Sequence, residues 1–258
     1  MNLTVLCPGI RTGNWEKLYN SIIDSFKGTW EIIFISPYEL PVPLANTKRQ
    51  NVKLITDWGS PIRCQQRGLC AAEGEYISWA ADDGTFLPNA LNIAFDKVKG
   101  KDYKTIVMGK YTEGSGNTNS MLGNYYYYLN HHDACNLPFM PPESLMLNVG
   151  IVSRQLLVEL GGWDAESFEV CPMAYNDFAV RAKRWGAEFI IQDELMFKCS
   201  HLPGHEGDHG PIHDGQIYRD QPKFTIMYSD EEASQRTVIP IDNWKKAPER
   251  WTRRWGKA

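Results

Sequence analysis

The stretch SPIRCQQRGLCAAEGEYISWAADDG, residues 60–84, decides the fold of this chain. Ser60 followed by Pro61 is the start signal of a helix, because serine caps the first free amides and proline suits the first turn. A glycine then breaks the helical pattern, and the apolar run after it predicts a buried strand. The strand runs directly into two adjacent carboxylates, Asp82 and Asp83.

The residues before this stretch show the same alternation of strands and helices. The spacing of apolar residues in WEKLYNSIIDSF (15–26) predicts a helix. Buried strands are predicted for LTVLCPG (3–9), EIIFIS (31–36) and VKLIT (52–56). This alternation favours an α/β fold: a mostly parallel, Rossmann-like central sheet flanked by helices, in a single large domain with a C-terminal extension. Such sheets bind ligands at the carboxyl ends of their strands, where the two aspartates would lie.

The second half of the chain has a different character. Residues 111–148 are rich in Gly, Asn, Tyr and Pro, and long irregular segments of this kind usually carry binding work. LNVGIVS (147–153) predicts a further strand, and RQLLVELGGW (154–163) predicts a helix that ends at two glycines. NDFAVRAKRWG (176–186) predicts another helix with its asparagine as the cap, and AEFIIQDELMF (187–197) predicts a late strand.

The composition is that of an ordinary soluble protein. The 258 residues are 43% hydrophobic and 22% charged, which is enough for one large core. A net charge of -4 gives no global attraction to nucleic acid, so no nucleic-acid partner is expected. Apolar runs are far shorter than the ~20 residues of a membrane span and the N-terminus lacks a signal-peptide pattern, so a cytoplasmic location is expected. The six cysteines form no CxxC pair, which favours reduced thiols.

The segment HLPGHEGDHGPIH, residues 201–213, contains the HExxH signature of zinc proteases. In a helix, His205 and His209 would share a face and bind zinc with Glu206 beside them. Three glycines and two prolines in this segment disfavour a helix, so a loop is predicted. A zinc-dependent hydrolase using His205, Glu206 and His209 is therefore the less favoured interpretation, and the histidines stay open as ligands on a loop.

Three sets of charged residues suit phosphate or proton chemistry. Asp82 and Asp83 suit a divalent cation that bridges to a diphosphate, although Asp-Asp-Gly is also a common turn. Arg63 and Arg67 lie four residues apart on the predicted helix, so they would either hold a phosphate together or form a solvated helix face. Asp177, at the start of its predicted helix, would stay ionised and either accept a proton from a hydroxyl or only stabilise the helix start.

Four stretches, in their order and spacing, resemble the successive motifs of family 2 inverting glycosyltransferases with the GT-A fold. They are LTVLCPGIRTGNWEKLYNSI (3–22), CQQRGLCAAEGEYISWAADDGTFLPNAL (64–91), LGGWDAESF (160–168) and NDFAVRAKRWGAEF (176–189). The resemblance spans about residues 3–190, and residues 67–91 carry its most specific part. It implies metal-dependent, inverting transfer of a sugar from a nucleotide-diphosphate donor to an acceptor hydroxyl.

The resemblance also implies roles for individual residues. Asp83 matches the family's metal-binding aspartate, Asp82 the middle of its acidic triplet, and Asp177 the base that deprotonates the acceptor hydroxyl. His201 occupies the place of a histidine that completes the metal site, whose cation is expected to be Mn²⁺ or Mg²⁺. The residues implied in binding the donor, expected to be a UDP-sugar, are Pro8, Arg11, Asn14, Arg63, Arg67 and Asp82.

Three positions depart from the family's pattern. Ala81 stands where an aspartate is usual, and Asn176 replaces the acidic residue before the base. The second predicted strand ends in Ser36 and Pro37, where the family often has an aspartate near the nucleoside base. A catalytically degenerate protein that binds a sugar nucleotide or a glycan is therefore the alternative to a glycosyltransferase.

The acceptor and the tail complete the set of expectations. The acceptor is expected to be a glycan or a lipid-linked glycan, contacted by Tyr126, Trp163 and Asp164. The tail favours either peripheral contact with an anionic membrane or packing of its tryptophans on the domain. It interleaves Lys245, Lys246, Arg250, Arg253, Arg254 and Lys257 with Trp244, Trp251 and Trp255.

By expected role, the chain divides into three parts. Residues 1–110 form the nucleotide-sugar-binding half, and residues 111–200 form the half that binds the acceptor and carries the catalytic base. Residues 201–258 comprise the histidine loop and the basic, aromatic tail.

Overall fold

Strands and helices alternate along the chain as the apolar pattern predicts. The computed structural model describes residues 1–45, 51–112, 147–199, 207–229 and 235–257. Its strands are β1 (Leu3–Pro8), β2 (Trp30–Ser36), β3 (Val52–Thr56), β4 (Tyr76–Trp79), β5 (Gly84–Phe86), β6 (Thr105–Thr112), β7 (Gly150–Ser153) and β8 (Glu188–Cys199). Its α-helices are α1 (Trp15–Ser25), α2 (Val42–Ala45), α3 (Pro61–Ala71), α4 (Ala90–Val98), α5 (Arg154–Leu160), α6 (Cys171–Arg184), α7 (Gly210–Gly215), α8 (Gln221–Ser229) and α9 (Thr252–Trp255).

The eight strands form one sheet in the order β3-β2-β1-β4-β7-β6-β8-β5. Strands β3, β2, β1 and β4 are parallel to one another, and so are β6 and β8. The pairs β4–β7, β6–β7 and β5–β8 are antiparallel. The α/β architecture is thus confirmed, and the parallel strands bring their carboxyl ends to one edge of the sheet.

Helices cover both faces of this sheet because successive side chains of a strand point to opposite sides. On one side, Leu6 of β1 packs in a buried cluster with residues of α3, α5 and α6. On the other side, Val5 and Cys7 pack with residues of α1 and α4. The start signal of α3 is confirmed, since the Ser60 hydroxyl accepts a hydrogen bond from the Arg63 amide at 3.3 Å.

Helix α6 begins earlier than the sequence pattern suggested. It starts at Cys171, with a proline in its first turn, so Asn176 is buried inside the helix and does not cap it. The prediction of a helix start at residue 176 is therefore wrong. Proline at the first turn is itself a start signal, and that signal was present in the sequence.

The C-terminal residues pack on the domain. The Trp251 amide donates to the Trp58 carbonyl oxygen at 2.8 Å, and Trp251 is 3% exposed. No helix among the described residues has both the length and the apolar character needed to cross a membrane. The five cysteines in the described ranges form no disulfide with one another.

Gly161 ends helix α5 at a point where no side chain fits. Its φ is +81°, and a Cβ atom there would lie 1.9 Å from the carbonyl oxygen of Ile239. We expect Gly161→Ala to lower the free energy of unfolding by at least about 2 kcal/mol, because both the left-handed backbone and the contact oppose a side chain. Gly186→Ala is the matched control, since Gly186 has a φ of +90° with no atom within 4 Å. Equal losses in urea denaturation of both variants would contradict the role of the Ile239 contact.

Candidate functional site

A cavity of about 480 Å³ opens at the edge of the sheet where β1, β2, β3 and β4 end. Its lining includes the β1–α1 loop at Pro8 and Arg11, the acidic pair after β4, and Tyr175 from α6. This is the edge at which α/β sheets bind ligands, and the volume lies within the range of small-molecule sites. The structure thus brings together four of the predicted residues: Pro8, Arg11, Asp82 and Asp83.

Asp82 fixes the β1–α1 loop to the end of β4. Its Oδ2 accepts hydrogen bonds from the amides of Ile10 and Arg11, and its Oδ1 accepts one from Nη1 of Arg11 at 2.6 Å. The indole of Trp15 also donates to Oδ2, at 3.4 Å. A Cβ atom at Gly9 would lie 2.9 Å from that indole and 3.1 Å from the carboxylate, so this close approach favours glycine. Asp82 therefore shapes the cavity wall through its contacts with the loop.

Arg11 is at the centre of a cluster of three carboxylates. Its Nη1 also lies 3.3 Å from Asp83, while Nε and Nη2 donate to the two oxygens of Asp208 at 2.8 and 2.9 Å. Burial alone would lower the pKa of Arg11, but the hydrogen bond to Asp208 and the charges of Asp82 and Asp83 hold the pKa above its usual range. Arg11 is therefore a cation in this site.

His209 and Asp208 reach the site from the far end of the sequence. The Nε2 atom of His209 lies 3.4 Å from Asp83 and 3.3 Å from Nη2 of Arg11. The sequence patterns left the role of His209 open and gave Asp208 none, because no local signal links residue 208 to residue 11. The only sequence signal for Asp208 was its position within the histidine-rich segment 201–213.

The acidic pair is the predicted site of a divalent cation. The oxygens of Asp82 accept hydrogen bonds from the Ile10 amide, the Arg11 amide and the Arg11 guanidinium. The same guanidinium also lies 3.3 Å from Asp83. Within the described ranges, no group of three His, Cys, Asp or Glu side chains could hold a metal ion. Arg11 thus engages the described part of the acidic pair, and His201, the other predicted ligand, lies outside the described residues, so the divalent cation stays a prediction.

Arg63 and Arg67 do not line the cavity. Both donate to the buried carboxylate of Asp57, at 3.1 and 2.6 Å, and Asp57 is the residue that faces the cavity. Both guanidinium groups also lie over the Trp244 ring, at 5.1 and 5.3 Å from its centroid. Asp57 and Trp244 thus engage both guanidinium groups in this structure, and the contact of Arg63 and Arg67 with the donor stays a prediction.

Asp177 is fully buried and does not line the cavity. One oxygen accepts from Nε of Arg181 at 2.8 Å, and the other accepts from Arg236 and from the Tyr228 hydroxyl. Burial alone would raise the pKa of Asp177, but the charges of the two arginines and these hydrogen bonds lower it. This carboxylate ties α6 to α8, so its contacts do not fit the predicted role of a base that meets an acceptor hydroxyl.

Tyr175 faces the cavity from the same helix. Residues two apart on a helix point about 200° apart, so Tyr175 and Asp177 lie on opposite sides of α6. The Tyr175 hydroxyl donates to Oε1 of Gln65 at 2.9 Å, and both residues line the cavity. Burial raises the pKa of Tyr175 well above its usual range, so the phenol stays neutral. The sequence patterns missed both residues.

The predicted acceptor residues lie elsewhere. Trp163 is 0% exposed and packs against Trp79 with ring centroids 5.4 Å apart. Asp164 is buried and accepts from the Ser167 amide at 2.9 Å and from Arg236 at 2.6 Å. Neither lines the cavity, and their contacts in this structure are those of buried structural residues, so their acceptor role stays a prediction. Asn14, a predicted donor residue, is exposed and does not line the cavity. Tyr126, the third predicted acceptor residue, lies outside the described residues.

The C-terminal segment forms one wall of the cavity. Trp251, Arg254 and Trp255 line it, and Trp255 packs edge-on against Trp58 with centroids 5.1 Å apart. Arg254 donates to the Asp208 carbonyl oxygen. This arrangement fits the interpretation that the tail packs its tryptophans on the domain.

The HExxH segment lies only partly within the structure. His205 and Glu206 lie outside the described residues, whereas His209 lies in the cavity beside Asp83. The zinc interpretation therefore stays a prediction.

Comparison with protein-family models gives no match, and comparison with curated protein sequences gives none either. Solved structures of S. aureus TarS are similar in fold. One matches with a TM-score of 0.56 at 15% identity, covering 79% of this chain and 37% of that chain. TarS 1–349 in complex with UDP-GlcNAc matches with a TM-score of 0.53 at 15% identity, covering 79% and 60%.

TarS 1–349 in complex with UDP matches similarly, with a TM-score of 0.53 at 15% identity, covering 83% of this chain and 63% of that chain. This chain therefore spans between 37% and 63% of the length of these solved chains. At 15% identity the likeness shows the fold alone.

Proposed function

We propose that this protein binds a nucleotide-diphospho-sugar in the cavity and transfers the sugar to an acceptor hydroxyl. The observation that carries the proposal is the place of the cavity, at the carboxyl ends of β1 to β4 in this fold. Structures of similar fold are complexes with UDP-GlcNAc and with UDP. A UDP-sugar is therefore the first donor to test.

The chemistry of the lining suits such a donor. Ile35, Pro37 and Trp255 offer apolar and aromatic surface at the ends of β2 and β3, where a nucleoside base would pack. Arg11 and Arg254 offer positive charge beside it, as a diphosphate needs. We place the sugar toward Tyr175 on the opposite wall, where hydroxyl and amide groups are available to hydrogen-bond it.

Transfer by single displacement inverts the anomeric carbon, and the departing diphosphate needs charge stabilisation in place at the moment of reaction. The acceptor proton needs a base at the cavity. Asp177 lies on the side of α6 that faces away from the cavity. We therefore assign the base to a residue other than Asp177.

A panel of sugar nucleotides tests the proposal. Each is added, with Mn²⁺ or with EDTA, to a thermal denaturation and to an assay for release of the nucleoside diphosphate. A ligand at about 100 times its Kd should raise the free energy of unfolding by about 2.7 kcal/mol. If no member of the panel stabilises the protein or is hydrolysed, the proposed function is wrong.

Binding without turnover is the second candidate function. It is favoured by the position of Asp177, whose oxygens are engaged by Arg181, Arg236 and Tyr228 away from the cavity. It predicts stabilisation by a sugar nucleotide with release of the diphosphate no faster than in buffer. Release above the buffer rate, lost together with binding in a cavity variant, decides for the transferase.

A further inference from the structure

The guanidinium of Arg11 is held by a carboxylate in the way that it would hold a phosphate. Nε and Nη2 donate side by side to the two oxygens of Asp208, at 2.8 and 2.9 Å. This parallel pair of bonds is the geometry with which arginine recognises both carboxylates and phosphates. Arg11 lines the cavity and Asp208 precedes His209, which also lines it; the side chains of Arg11 and Asp208 are 24% and 43% exposed.

The third nitrogen of Arg11 takes the place expected for a divalent cation. Nη1 lies 2.6 Å from Asp82 and 3.3 Å from Asp83. The Arg11 amide also donates to Asp82, so backbone and side chain are both fixed against the acidic pair. The positive charge of Arg11 thus already lies between these two carboxylates, at the position that a divalent cation would take.

We propose that Arg11 itself binds the diphosphate of the donor, in place of a divalent cation, and that Asp208 is an intramolecular stand-in that the diphosphate displaces. The proposal rests on the proposed function. Once Asp208 leaves, Nε and Nη2 face the cavity while Nη1 stays on the acidic pair. The donor then meets two parallel N–H groups on an anchored guanidinium.

The charges explain why Asp208 must leave. The carboxylates of Asp82, Asp83 and Asp208 lie beside the guanidinium of Arg11 and the imidazole of His209, while Arg254 donates to the backbone carbonyl oxygen of Asp208. A diphosphate entering this cluster would meet the negative charge of the three carboxylates. The side chain of Asp208 is the most exposed of the three. Its carboxylate therefore loses little when it leaves Arg11 and is hydrated by water instead.

The first test measures the Kd of UDP by calorimetry with EDTA and again with Mn²⁺. We expect the two values for the wild-type protein to agree within about twofold. Arg11→Gln should weaken binding about tenfold or more, because it removes a charge-assisted pair of bonds. Arg253→Gln, which removes an arginine bound to Glu169 outside the cavity, should leave the Kd unchanged. Binding of UDP that requires Mn²⁺ overturns the inference and leaves the proposed function standing.

The second test looks for a gain of affinity, which misfolding does not produce. Asp208→Asn removes the competing charge, and an occluded fraction of about 70 to 90% in the wild type predicts UDP binding about three to ten times tighter. Asp214→Asn is the matched control, because Asp214 lies in α7 nearby, is 55% exposed in its side chain and lies 3.4 Å from His213, whereas Asp208 pairs with Arg11. An unchanged or weaker affinity of Asp208→Asn overturns the inference. Failure of every protein to bind any nucleotide, with or without Mn²⁺, contradicts the proposed function as well.

Discussion

Replacement of Asp177 by alanine is expected to lower the free energy of unfolding by about 3 to 5 kcal/mol, because it leaves buried cations without their partner. Arg181 is fully buried and donates to Asp177 through Nε, and Arg236 donates to the other oxygen. The Tyr228 hydroxyl, buried on α8, loses its acceptor as well. Urea denaturation followed by circular dichroism measures the loss.

Asp193→Ala is the control for this experiment. Asp193 is 81% exposed in its side chain and lies 3.6 Å from Lys110, so its replacement should change the stability by less than about 1 kcal/mol. A stable Asp177→Ala protein that binds sugar nucleotides but has lost transfer would restore Asp177 as the base and contradict the structural role.

The same carboxylate should contribute to acid sensitivity. Its pKa is lowered on folding, so its contribution is fully present above the unfolded-state pKa of about 3.9 and is lost as the pH falls through the folded value. The wild-type protein should therefore lose more stability than Asp177→Ala when the pH is lowered below about 4. Parallel pH dependence of the two proteins in urea denaturation would show that the pKa of Asp177 is not lowered.

Replacement of Trp251 by alanine is the second change with a large expected effect. Removing a buried tryptophan from a packed site costs about 3 to 5 kcal/mol. Trp251 is 3% exposed, its amide holds the segment to Trp58, and its ring lines the cavity. We therefore expect lower stability in urea denaturation and a weaker Kd for the nucleotide.

Trp185→Ala provides the comparison, since Trp185 is 37% exposed and lies at the end of α6 away from the cavity. It should cost less than about 1 kcal/mol. The membrane interpretation of the tail makes the opposite prediction: Trp251→Ala would keep its stability and lose binding to vesicles that contain anionic lipid. That result would show that the ring is not packed on the domain in solution.

The fold could be predicted because its signals are local. The apolar runs of β1 to β4 and the Ser60–Pro61 start of α3 each lie within a few residues, and the acidic pair follows β4 directly. Strand polarity then places the carboxyl ends at one edge. The cavity lies at this edge, so its position followed from the sequence together with the rules of parallel sheets.

The residues that line the cavity could be predicted only in part. Pro8, Arg11, Asp82 and Asp83 are close to strand ends, and they line the cavity as expected. The contacts of Arg63 and Arg67 could not be predicted in this way, because Asp57 and the Trp244 ring together engage both guanidinium groups. Trp244 lies more than 170 residues from either arginine in the sequence.

The sequence by itself determined the alternation of strands and helices and the edge at which a ligand would bind, since periodicity and turn residues act over short distances. Only the tertiary structure decided which polar side chains meet there. Asp177 and Tyr175 share one helix and point apart, and Asp208 meets Arg11 across 197 residues of chain. The direction of a side chain depends on which face its element buries, and that face is chosen by packing partners far away in the sequence.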